Sequence, residues 1–188
     1  MPSRTKPSRR TRILVGGAAV AVVGAGAVGT VAASAADATG TASAPAPVAA
    51  RGAELTQSSH LTLDAAQKAA RAAVDAAGKE GRQVSVAVVD RNGNTLVTLR
   101  GDGAGPQSYE SAERKAYTAV SWNAPTSELA KRLAQAPNLK DIPGTLFLAG
   151  GTPVTAKGAP VAGIGVAGAP SGDLDEKYAR AGAAVLGD

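Results

Sequence analysis

The stretch VSVAVVDRNGNTLVTL, Val84 to Leu99, constrains the fold more than any other part of the chain. Two short runs rich in β-branched residues flank Asp90-Arg91-Asn92-Gly93-Asn94. Asn-Gly between such runs is a strong hairpin signal, because a two-residue turn needs positive φ at both central positions. The other elements are read around this ribbon. Before it, LTLDAAQKAARAAVDAAGKEG places alanines, Leu63 and Val74 at helical spacing, with Thr62 as N-cap and Gly78 and Gly81 as the stop. After it, the loop 101–107 leads to a helix over 108–122, and Pro125-Thr126 breaks the chain and caps a short helix from Ser127 to about Ala134. TLFLA (145–149), TPVT (152–155) and VAGIGVAGA (161–169) read as three further strands, followed by a helix from Asp173 to about Leu186. Helix, two strands, two helices, three strands, helix is the order of an α+β domain, one antiparallel sheet covered by helices.

Charge excludes one class of partner. The formal charge is +5, but 5 of the 20 basic residues lie in the first dozen positions, and residues 1–35 hold no Asp or Glu. The remaining 15 basic residues face 15 acidic ones, which gives no support for nucleic-acid binding. The basic start, the apolar run 13–31 and Ala33-Ser34-Ala35 together read as an export signal over residues 1–35. An uncleaved membrane anchor is the rival reading, since the run is long enough to span a bilayer. Arg9-Arg10 just before the run resembles a twin-arginine signal. Residues 36–59, small and Pro-containing, read as a flexible linker, and 60–188 as the domain. The chain has no cysteine, so it has neither disulfides nor sulfur ligands from cysteine.

The helix YESAERKAYTAVSW (109–122) has two sides. Ala112, Ala116, Ala119 and Val120 share one face; Glu110, Glu113, Arg114, Tyr117 and Ser121 share the other. Two readings of the glutamates are open. Glu110 can simply pair with Arg114 at i,i+4 on a solvated face, or the two carboxylates can take a hard cation such as ferric iron with further ligands from elsewhere. Lys115 lies at the edge of the apolar arc; it either snorkels to water or meets an acidic ligand in a pocket. Asp173, Asp175 and Glu176 are similarly open: a capping box with Asp173 as N-cap and Glu176 at N3, or an ancillary iron site.

ERKAYTA, PGTLFLAGGTPV and GIGVAGAPSGDLDEKYA resemble the GlcG/HbpS family of haem-binding proteins over residues 60–188. The resemblance implies a profilin-like α/β/α domain with a five-stranded antiparallel sheet. It implies binding of haem b and iron, a homo-octamer, and contact with a membrane sensor histidine kinase in redox or haem-stress signalling by an exported, extracellular protein. It carries an iron-binding role onto Glu110 and Glu113 and a haem-handling role onto Lys115. The conventional iron ligands left to this chain are His60, at the entry to the first helix, and Tyr109, Tyr117 and Tyr178; the resemblance instead implies the hydroxyl of Thr145. The alternatives are a small-ligand or haem-degrading module of the same fold, with any such activity secondary, and an iron-sequestering oligomer. The glycines of LAGGTPV and GIGVAG lack the strand-to-helix context of a nucleotide site, and read as backbone geometry or as close approach, by a neighbouring subunit or by haem.

Overall fold

The computed structural model describes residues 47–187; the expected export signal and the linker up to residue 46 lie outside the described residues. Residues 47–61 form no α-helix or strand, with one 3-10 turn at Gly52–Glu54. The domain then runs α1 (Leu63–Lys79), β1 (Ser85–Asp90), β2 (Thr95–Arg100), α2 (Pro106–Trp122), α3 (Thr126–Arg132), β3 (Gly151–Ala156), β4 (Ala159–Ala167) and α4 (Gly172–Ala184). Every strand pairing is antiparallel and the sheet order is β2-β1-β4-β3.

Several local signals work as their chemistry requires, though Gly78, expected as part of the stop, lies inside α1, and Gly81 with φ 66° follows its end. Thr62 Oγ1 accepts from Ala65 N at 3.2 Å and starts α1. The hairpin turn is held by the Asp90 carboxylate, which accepts from the Asn92 and Asn94 amides, while Gly93 takes φ 87°. Alternation along the strands separates two cores. Val86, Val88, Ile164 and Val166 pack with the alanines of α1 and with Tyr178 of α4. Ala87, Val89 and Ala167 face Ala112, Ala116 and Val120 of α2. The architecture is thus helices on both faces of one antiparallel sheet, an α/β/α domain.

Among the described residues the sheet has four strands, not the expected five. Residues 145–149 are not a strand; two backbone groups at the start of the segment are taken up by side chains of α2 rather than by a neighbouring strand. The Thr145 carbonyl accepts from Arg114 Nη2 at 2.7 Å, and the Leu146 amide donates to Thr118 Oγ1 at 2.8 Å. Phe147 is anchored edge-on against Trp122, with ring centroids 5.2 Å apart, in a small satellite core with Ala124 and Leu129. The cap expected at Thr126 also differs. Thr126 is the first residue of α3, and its hydroxyl accepts from Gly151 N at 2.8 Å instead.

The glycines of GIGVAG are explained by this chain alone. A Cβ on Gly165 would lie 2.0 Å from the Ala112 carbonyl oxygen, and one on Gly163 would lie 2.1 Å from that of Ala116. Helix α2 therefore lies directly on the backbone of β4, and the close approach is made by α2 rather than by a subunit or a cofactor. Gly165→Ala should lower the unfolding free energy in urea by about 3 kcal/mol, because neither backbone can yield. Gly78→Ala, where nothing lies within 4 Å, should instead raise it by about 0.5–1 kcal/mol.

Candidate functional site

Helix α2 presents the groups of interest on two sides. On the outer side, Glu110 is exposed and lies 3.7 Å from Arg114, the i,i+4 pair expected of a solvated face. Glu113 is half-buried and accepts from Thr98 Oγ1 at 3.0 Å. Arg114 thus reaches both Glu110 and the Thr145 carbonyl. Among the described residues no group of three or more His, Asp or Glu is placed to hold a metal ion. Glu110 and Glu113 supply two carboxylates, and a cation there would draw its other ligands from water or another molecule.

Lys115 lies on the inner side. Its side chain does not snorkel; the residue is only 5% exposed. Nζ donates to Asp175 Oδ2 at 2.8 Å and to the Val166 carbonyl at 3.1 Å. Asp175 is 4% exposed and its Oδ1 accepts from Ala169 N at 2.9 Å. Burial pushes the Asp175 carboxyl above the usual aspartate range, against the opposing pull of Lys115 and the Ala169 amide. Gly150 makes room for the pair: with φ 132°, a Cβ there would lie 2.7 Å from Lys115 Nζ and 2.9 Å from Asp175 Cβ. Over the pair opens a cleft of about 400 Å³, walled by Leu148, Ala149, Ala169 and Pro170 and closed by the first residues of α4.

The remaining predicted residues separate. The N-cap of α4 is Ser171, whose Oγ accepts from Leu174 N, so Asp173 and Glu176 form no capping box. Asp173 is exposed at the cleft edge. Glu176 is buried and caps a different helix: it accepts from Ser127 N at 3.0 Å and Ser127 Oγ at 2.8 Å, and pairs with Arg180 at 2.6 Å. Burial pushes the Glu176 carboxyl up, but the bonds from Ser127 and Arg180 together hold it below the usual glutamate range. Asp173, Asp175 and Glu176 thus point to three different tasks. Thr145 is buried, its hydroxyl donating to the Ile142 carbonyl at 2.7 Å. His60 is exposed, with Nε2 2.8 Å from the Ser58 hydroxyl. Tyr178 is buried and donates to Glu80.

Sequence reasoning missed Arg114 as the tether of the 145–149 segment and Gly150 as the floor under Lys115. The signal for the second was a lysine one turn before Ala119 in an alanine face. Its partner lies 60 residues further along the chain, beyond any local spacing rule.

The class the fold and site define is a three-layer α+β domain with a buried charged pair at the base of a cleft of mixed polar and apolar lining. A family model described as haem degrading protein HbpS-like matches residues 61–184, and the chain belongs to that family. The crystal structure of a Streptomyces reticuli HbpS double mutant is 90% identical, with a TM-score of 0.76, covering 77% of this chain and 99% of that one. A PduOC:heme complex is 27% identical, with a TM-score of 0.62, over 67% of this chain and 94% of that one. An uncharacterised 15.0 kDa protein of Citrobacter freundii is 32% identical over 117 residues, 60% of this chain and 82% of that protein.

Lys115→Met should cost about 3–5 kcal/mol in urea unfolding, because it strands the Asp175 carboxylate out of water. The double change Lys115→Met with Asp175→Leu should recover most of that loss. Glu176→Gln should cost about 1–3 kcal/mol near neutral pH. Because the folded carboxyl titrates below its unfolded value, its contribution is present above that value and lost as pH falls. The gap between variant and wild type should therefore begin to narrow below about pH 4.3 and close only as the pH falls through the lower folded value.

Proposed function

We propose that the chain is an exported haem- and iron-binding protein that acts as an accessory to a membrane sensor histidine kinase. The observation that carries this reading is the 90% identity to HbpS across nearly the whole length of the solved chain. The haem complex of a 27% identical relative supports the haem part, and the basic, acid-free start of the chain supports export. The solved HbpS double mutant carries aspartates in place of two glutamates three residues apart. Glu110 and Glu113 share that spacing, which favours them as the iron carboxylates. Assembly as a homo-octamer and the kinase contact rest on the family resemblance.

The residues present fit haem in part. The cleft offers apolar walls at Leu148, Ala149 and Pro170, and Lys115 has one ammonium hydrogen left for a propionate after Asp175 and Val166. Thr145 fits the axial role less well. The residue is 1% exposed and its hydroxyl is turned to the Ile142 carbonyl, so iron reaches it only if the Ile142–Gly144 turn opens. His60 faces Ser58 rather than the cleft lining. When bound, haem would supply a redox-active iron; the chain's own part is to hold the porphyrin edge and to restrain the 145–149 segment through Arg114.

Titration of the full chain with haemin should give a saturable Soret shift. Thr145→Ala should weaken it about tenfold, a change of about 1.4 kcal/mol. Glu110→Ala with Glu113→Ala should leave the haemin titration unchanged and abolish ferric binding. Absence of any Soret shift with the folded wild type would overturn the haem reading.

A further inference from the structure

Helix α2 borders a second cavity, of about 170 Å³, which shares no lining residue with the cleft over the Lys115–Asp175 pair. Buried Val89 and the half-buried ring of Tyr117 supply its apolar walls. Two turns meet that ring from opposite edges. A Cβ on Gly93 would lie 2.8 Å from Tyr117 Cε2, and one on Gly144 would lie 3.6 Å from Cε1. Both positions have positive φ, 87° and 77°, so glycine suits them on two counts. The turns hold the ring in place, and neither glycine sends a side chain into the space. An apolar cavity of about 150 Å³ holds benzene. This one therefore has room for a single six-membered ring and little more.

The polar lining says what that ring should carry. Its ionisable members are Glu113 and Arg114. Arg114 is already engaged: Nη2 donates to the Thr145 carbonyl and Nη1 lies 3.7 Å from Glu110. Glu113 Oε1 accepts from Thr98 Oγ1, and among the described residues Oε2 accepts no hydrogen bond. The site thus combines apolar walls with one carboxylate oxygen that lacks a donor. A hydroxyl donating to it makes a charge-assisted bond, stronger than one between neutral groups. An ionised group on the ring would have to shed its water against Val89 and Tyr117, which a neutral hydroxyl does not. A ring beside Tyr117 also gains aromatic contact that an aliphatic alcohol lacks. We propose that this cavity is a binding site for a small neutral phenol, its ring beside Tyr117 and its hydroxyl donating to Glu113 Oε2. This goes beyond haem and iron binding and depends on neither, since the ring needs only the cavity walls and the hydroxyl only one carboxylate oxygen.

The test is a fluorine NMR titration of para-fluorophenol with the full chain, free of haem and stripped of metal by a chelator. A saturable shift should appear with a Kd of about 1 mM, the strength expected of so small a ligand. The methyl ether para-fluoroanisole keeps the ring but lacks the donor, and should bind about tenfold more weakly. Glu113→Gln should weaken para-fluorophenol by about the same factor and leave para-fluoroanisole unchanged. Thr95→Trp, a change at an exposed position of the cavity lining, should abolish binding of both rings. Leu148→Trp, at the other cleft, should leave both unchanged. No saturable shift with the folded wild type would overturn the proposal. Equal affinity for the two rings, an unaffected Glu113→Gln, or binding lost in Leu148→Trp instead of Thr95→Trp would overturn it equally. None of these outcomes bears on the haemin or ferric titrations.

Discussion

The seating of α2 on the bare backbone of β4 is the constraint from which the rest of the domain follows. With Gly163 and Gly165 under the carbonyls of Ala116 and Ala112, the helix lies closer to the sheet than any side chain on β4 would permit. That closeness brings Lys115 within hydrogen-bonding distance of the Val166 carbonyl on the same strand. It also brings the outer edge of the helix over the 142–149 segment, where Arg114 and Thr118 take up backbone groups that a fifth strand would have used. One packing decision thus sets the depth of the lysine, the course of the following loop and the position of the cleft.

Burying Lys115 is costly in itself, and the fold offsets that cost locally. Asp175 enters from the first turn of α4, Ala169 N completes its hydrogen bonding, and Gly150 leaves the space in which the pair sits. No buried side-chain polar atom among the described residues is left without a partner. The neighbouring Glu176 performs a separate mechanical task, tying α3 to α4 through Ser127 while Arg180 of its own helix neutralises it. Two adjacent acids on one helix therefore serve opposite purposes. Asp175 is turned inward to a charged partner beneath an open cleft, and Glu176 is turned sideways to hold a short helix that has no side-chain cap of its own. Exposed Glu110 and half-buried Glu113 stand apart from both, on the side of α2 away from the buried lysine.

The amino-acid sequence by itself determined the features set by neighbours within a few residues. The Asp90–Asn94 turn, the Thr62 cap, the alanine face of α1 and the two-sided character of α2 all follow from turn chemistry, capping and helical period. The Glu110–Arg114 pair belongs with them, since i,i+4 spacing alone places it. What only the tertiary structure decided are the partners of groups with several local options. Residues 145–149 have the composition of a strand, but a strand needs a neighbour, and α2 claimed their backbone first. Asp173 and Glu176 have capping spacing, yet Ser171 stands two residues earlier and Ser127 needed an acceptor. Lys115 at the margin of an apolar face had water as its nearest default, and became a buried charge because Asp175, 60 residues on, is delivered to it by the glycine-enabled contact between helix and sheet. Local rules carry no information about such long-range pairs, because loop closure, not spacing, brings their members together.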